Sequence, residues 1–217
     1  MPLIDVNFKS NSVFIPRLDL QFYTHQLDTN LVTRLNNIVL EIKDDILENT
    51  PPPGVGKPLN FLTSRLWHYN LFDYPHKELQ ELKNIIAQEY HNYVDAMQYP
   101  RETVYIQCWA NLLKFGQHIN WHHHADAHAS APNEYAYVSG NICIHADDTK
   151  TYYKNPCIET DIIGLDNVNG GMVLFPSFIS HETSKNMNQT PRISIAFDII
   201  TEQVYNMIDH KNFRFLI

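Results

Sequence analysis

Paired cysteines are missing from this sequence. Its three cysteines, Cys108, Cys143 and Cys157, are odd in number and form no Cys-x-x-Cys pair, which excludes a disulfide framework and a zinc knuckle. They read as reduced and mostly buried thiols. Also missing is any apolar run near the roughly 18 residues that a membrane span needs. The opening stretch MPLIDVNFKSNS lacks the charged-then-apolar order of a signal peptide, so a soluble, cytoplasmic protein is expected. Basic tracts are absent too: 16 lysines and arginines stand against 24 aspartates and glutamates, a formal charge of -8. Nothing there tracks a phosphate backbone, and neither nucleic acid nor membrane is an expected partner. No internal repeat or low-complexity segment occurs. At 217 residues the chain suits one well-buried core, and a single domain over 1–217 is expected.

What the sequence does have is histidine. There are twelve, and five of them (His118, His122, His123, His124, His128) fall within eleven residues. The scaffold around them reads in two parts. Over 28–49, Leu31, Leu35, Ile38, Ile42 and Ile46 recur at spacings of three and four behind Asp28 or Thr29 as N-cap, which predicts an amphipathic helix. The segment 50-TPPPGVGKP-58 enforces a loop. A second helix is predicted from about His76 to Met97, with Leu79, Leu82, Ile86, Tyr90, Tyr93 and Val94 as its apolar stripe. After Pro100 come short β-prone runs at 103–115, 137–146, 157–163, 171–176 and 192–200, with turn-rich pieces between them. Strands in succession after helices predict an α+β protein: a mainly helical cover over 1–100, then an antiparallel β sandwich or barrel over 101–200.

Side chains alternate along an extended strand, so residues 122, 124 and 126 share one side. Either His122 with His124, or His124 with Asp126, gives two adjacent ligands for a metal, and a third must come from elsewhere. His181 is the natural candidate, because 174-LFPSFISHE-182 ends an apolar strand at Pro176 and presents a histidine just beyond it. Three facial ligands leave three octahedral positions open, as oxygen chemistry at non-haem iron requires. Arg192 lies eleven residues beyond His181 and shares a strand face with Ser194. A guanidinium with a hydroxyl is a good receptor for a carboxylate at the bottom of an apolar barrel. A lone histidine or arginine is more often an ordinary surface or core residue, and His123 and His128 are read that way, with His123 facing away from the metal.

In this order and spacing the residues resemble the Fe(II)/2-oxoglutarate oxygenase superfamily, especially a bacterial and phage branch related to prolyl hydroxylases. The likeness runs from about Trp109 to Phe197. In 109-WANLLKFGQHINWHHH-124, Asn111, Gly116, His122 and His124 stand at the spacing that branch shows before its metal strand. The stretch 139-SGNICIHA-146 is similar to the Ser-Gly strand that follows, and 175-FPSFISHETSKNMNQTPRISIAF-197 resembles the distal-histidine and Arg-x-Ser element. The resemblance implies a double-stranded β-helix (a jelly-roll or cupin-like barrel) with helices packed on one face. It implies His122, His124 and His181 as iron ligands, Arg192 and Ser194 on the distal carboxylate of 2-oxoglutarate, and Asn111 and Trp109 lining the same pocket. Two features depart from the usual pattern. Most of the superfamily uses His-x-Asp, and a register shift of two would make His124 and Asp126 the pair, although the distance from Gly116 favours His122. The stretch 125-ADAHASAPNEYAY-137 is longer than usual and reads as a substrate-selecting loop at the mouth of the site.

The activity implied by the resemblance is hydroxylation of a C–H bond with Fe(II), 2-oxoglutarate and O2, giving succinate and CO2 as coproducts. The substrate would be a small molecule or a peptide or protein, with a prolyl residue or an amino acid first in line. Two other readings compete. A cupin-like metal dioxygenase or isomerase would use three histidines without 2-oxoglutarate and would have no need of Arg192 and Ser194. A non-enzymatic β-sandwich binding module would need neither.

Overall fold

The computed structural model describes residues 3–8, 18–51, 62–125, 136–208 and 212–217. Both amphipathic stripes form helices. Helix α1 (Thr29–Asn49) buries Leu31, Leu35, Ile38, Ile42 and Ile46, with Val32 and Val39 beside them. Its N-cap is Asp28, whose carboxylate accepts the backbone N–H groups of Asn30 at 2.9 Å and Leu31 at 3.2 Å. Helix α2 (Lys77–Ala96) buries the predicted stripe together with Glu89. That carboxylate accepts the Tyr23 hydroxyl at 2.6 Å and the Asn92 amide at 3.0 Å, so its burial is compensated and the helix is tied to the sheet. The expected loop over 50–58 falls mostly outside the described residues.

Ten strands are assigned among the described residues: β1 (Leu3–Phe8), β2 (Leu18–Gln26), β3 (Val104–Leu113), β4 (Val138–His145), β5 (Lys150–Asn155), β6 (Ile158–Asp166), β7 (Gly171–Pro176), β8 (His181–Thr183), β9 (Arg192–Thr201) and β10 (Arg214–Phe215). They form a seven-stranded sheet in the order β1-β2-β7-β4-β9-β3-β10 and a three-stranded sheet in the order β6-β5-β8. The paired strands run antiparallel, as expected. The first hundred residues are not only a helical cover, since β1 and β2 extend the large sheet. Residues Leu62–His68 add a 3-10 helix that the sequence reading did not anticipate.

The large sheet separates two cores. On one face Ile106, Cys108, Ile142, Leu174, Ile195 and Phe197 join the buried stripes of α1 and α2 in one apolar cluster. On the other, Phe22 and Phe175 meet Tyr153 and Ile179 from the region of the small sheet. Period two enforces the division: Ile193, Ile195, Phe197 and Ile199 of β9 point to the helices, and Arg192, Ser194, Ala196 and Asp198 point between the sheets. Gly140 has a specific place here. It pairs with Phe197 across the β4–β9 ladder, and a Cβ on it would come within 2.2 Å of the Phe197 ring. Two sheets with helices on one face form the α+β, double-stranded β-helix arrangement that the resemblance implied.

Candidate metal and cosubstrate site

The β9 face between the sheets is the floor of the site. Register places Asn111 of β3 opposite Ser194, Trp109 opposite Ala196, and Ser139 of β4 opposite Asp198. These residues border a cavity of about 360 Å³ whose wall also contains His122, His124, His181 and Arg192. The 3-10 helix contributes Thr63, Leu66 and Trp67 to that wall. Thr63 donates its hydroxyl to Asn111 Oδ1 at 2.6 Å, and Asn111 donates its amide to Ser194 Oγ at 3.4 Å.

Local pairing brings the histidines together. His122 and His181 exchange backbone hydrogen bonds, from His181 N to His122 O at 2.8 Å and from His122 N to His181 O at 3.1 Å. The His124 N–H reaches Ser177 O at 2.9 Å. Residues 119–124 thereby run antiparallel to β8, with His122 facing His181 and His124 two steps along on the same side. Ring centroids are 4.3 Å apart for His122 and His181, 4.9 Å for His122 and His124, and 5.2 Å for His124 and His181. Trp109 stacks on His124 at 5.8 Å.

The other side of each ring fixes the tautomer. His122 Nδ1 lies 2.8 Å from Asn120 O, His181 Nδ1 lies 3.0 Å from Ile179 O, and His124 Nδ1 lies 2.7 and 2.8 Å from the two Asp198 oxygens. Acceptors at all three Nδ1 atoms place the ring proton there and the lone pair on Nε2, the arrangement of metal-ligating histidines. One ligand atom from each ring lies within 4.8 Å of the others. Two nitrogens on one ion stand at most about 4.2 Å apart, so an ion would draw the rings slightly together. Burial, with His124 close by, pushes the His122 pKa down to about 4, and burial beside His122 and His124 holds His181 well below 6.5. The His122 and His181 rings therefore reach neutral pH with lone pairs to offer. This donor set fits a divalent transition metal.

Arg192 is 2 % exposed, and its Nε and Nη1 have no hydrogen-bond partner among the described residues. Burial lowers its pKa, yet a guanidinium keeps its proton under these conditions. An uncompensated buried cation costs several kcal/mol, which marks the position as a receptor for an anion. Cys143 and Tyr153 flank it, and burial pushes the pKa of both upward, so neither supplies the missing negative charge.

The structure thus brings together His122, His124 and His181, and it lines the same cavity with Arg192, Ser194, Asn111 and Trp109. Asp126 and His128 fall outside the described residues, as does most of the 125–137 stretch. His123, expected to face away, contributes to the cavity wall, because residues 117–125 form no regular strand and His122 makes only an isolated bridge to His181. Sequence reasoning missed Asp198, Ser139 and the 3-10 helix wall. Asp198 had a signal: it continues the 192, 194, 196 alternation by one step.

Three comparisons bear on this site. The sequence profile of the 2OG-Fe(II) oxygenase family matches residues 107–198, which include every candidate ligand named above. No curated protein sequence matches the chain. Solved structures with the same fold include a Pseudomonas putida prolyl-4-hydroxylase, at 13% identity and TM-score 0.56 over 83% of this chain and 88% of that one. AviO1 from Streptomyces viridochromogenes Tue57 shows 16% identity and TM-score 0.57 over 83% and 90%. SnoK, an α-ketoglutarate dependent carbocyclase from nogalamycin biosynthesis, shows 10% identity and TM-score 0.57 over 83% and 79%.

Proposed function

We propose that this chain is an Fe(II)/2-oxoglutarate oxygenase, in line with the family match over 107–198, that His122, His124 and His181 hold its iron, that Arg192 and Ser194 receive the distal carboxylate of 2-oxoglutarate, and that the enzyme hydroxylates a C–H bond. When bound, iron and 2-oxoglutarate supply the activation of O2, with succinate and CO2 as coproducts. The observation that carries the reading is Arg192. A buried guanidinium whose Nε and Nη1 find no acceptor among the described residues, on the same cavity as three Nε2-presenting imidazoles, would suit a cosubstrate with two acidic ends. A cupin-like dioxygenase without 2-oxoglutarate leaves that guanidinium unexplained.

The residues of the chain then have distinct tasks. Arg192 gives charge-assisted hydrogen bonds to the carboxylate, in a setting where low dielectric strengthens them. Asn111 fixes the Ser194 hydroxyl and is itself fixed by Thr63, so the 3-10 helix braces the cosubstrate pocket. Trp67, Trp109, Ile119 and Phe175 supply an apolar wall that limits water near the metal. Residues 1–217 act as one oxygenase domain in which the first hundred residues cover the β core. The substrate is a small molecule or a peptide. A prolyl residue or an amino acid is the leading class, in line with the fold shared with the Pseudomonas putida prolyl-4-hydroxylase. No described helix is long and apolar enough to cross a membrane.

The test begins with the anaerobic Fe(II) protein, which should gain a weak visible charge-transfer band when 2-oxoglutarate is added and form succinate once O2 is admitted. Arg192→Ala should raise the 2-oxoglutarate concentration for half-maximal turnover by roughly 10- to 100-fold, the worth of a charged hydrogen bond. His181→Ala should abolish turnover. Absence of both band and succinate in the wild-type protein would sink the reading. Screening peptides and amino acids for stimulated succinate release identifies the substrate.

A further inference from the structure

Asp198 is the one acidic side chain among the described residues that line the cavity. It is 5 % exposed, and both of its oxygens lie on His124 Nδ1, at 2.8 and 2.7 Å. The Ser139 hydroxyl donates to Asp198 Oδ1 at 2.7 Å and shares a second hydrogen bond with the Ser177 hydroxyl at 2.9 Å. Ser177 also accepts the backbone N–H of His124 through its carbonyl, at 2.9 Å. His124 is therefore gripped twice by one network, at its ring through Asp198 and at its backbone through Ser177, with Ser139 closing the loop. The other two rings are treated differently. Among the described residues, the Nδ1 atoms of His122 and His181 each meet a neutral carbonyl two residues back in the chain, Asn120 O and Ile179 O.

A set of three neutral imidazoles brings no charge to a divalent ion. A carboxylate on the far nitrogen of a ligating imidazole raises that ligand's basicity and locks its orientation. We propose that Asp198, clamped by Ser139 and backed by Ser177, is a positioning residue that aims His124 at the metal and lends the site, one hydrogen bond removed, the negative charge its histidine ligands lack. The proposal rests on the assignment of His122, His124 and His181 as the metal ligands.

Anaerobic titration of the full chain with Co(II), followed by its visible d–d bands, reads affinity and ligand field together. Asp198→Asn keeps the shape and an acceptor for Nδ1–H but removes the charge. It should weaken Co(II) binding by about 10- to 100-fold and shift the bands. Ser139→Ala removes one clamp and leaves the charge, so its affinity should fall between wild type and Asp198→Asn. Wild-type affinity and bands in a folded Asp198→Asn protein, with His124→Ala unable to bind, overturn the proposal and leave the ligand set standing. Undiminished Co(II) binding by His124→Ala overturns the ligand set itself. Should Asp198→Asn fail to fold, wild-type affinity and bands in Ser139→Ala overturn the proposal.

Discussion

Phe197 and Asp198 are consecutive in sequence and serve opposite sides of one sheet. Phe197 is fully buried against the helices, and its ring occupies the space that a side chain on Gly140 would need. Gly140→Ala is therefore expected to destabilise the fold by about 1–3 kcal/mol, the usual cost of overpacking a tight core. Thermal melts of the variant should show it, and trimming the ring in the double variant Gly140→Ala, Phe197→Leu should recover part of the loss. An unshifted midpoint in the single variant would show that the ring moves aside freely. The same pair of residues marks how far single positions were legible. Histidine clustering, the placement of His181 and the Arg-x-Ser spacing pointed to five of the residues on the cavity (His122, His124, His181, Arg192 and Ser194), since such a pattern is rare enough to stand out. Asp198 did not stand out, because an aspartate near the end of a β-prone run has an ordinary explanation as a solvated strand end. Its significance comes from His124 lying against it, 74 positions away in the chain.

Elements differ in how plainly their sequences announce them. Both helices could be read because their apolar stripes are long and regular, and the structure moved their ends by only a residue or so. Asp28→Ala tests the one cap with a side-chain bond to the start of a long helix. It should cost about 1 kcal/mol in a denaturant titration, and a loss of zero would mean water caps α1 equally well. Strand β5 was missed because its lysines and tyrosines look like a solvated loop, although Thr151, Tyr153 and Asn155 alternate inward. Strand β8 is three residues long, below what periodicity can register. Its extent depends on partners: β5 on one side and the irregular run 119–124 on the other. Pairing of that kind is a tertiary fact, which is why the histidines were expected together without the reason they meet.

The whole molecule feels the cost of crowding imidazoles. In the unfolded chain His122 and His181 take up protons as pH falls through about 6.5. In the folded, metal-free protein burial and neighbouring rings delay uptake, at His122 until about pH 4. The unfolded state thus binds more protons across that window, so stability falls with falling pH. Metal-free protein should keep its full histidine-linked stability above about pH 6.5 and lose it progressively toward pH 4, read as a declining thermal midpoint. His181→Ala should flatten the decline, and an equally steep slope in that variant would assign the effect to other groups. Strand β9 places a further constraint on the molecule as a heritable object. Core packing and the proposed anion recognition share this strand at alternate positions, between two fixed neighbours, β3 and β4. A one-codon insertion or deletion within it would exchange the two faces together, sending isoleucines into the cavity and Arg192 toward the helices. Relatives of this chain can therefore vary β9 by substitution, while changes of length must accumulate outside it.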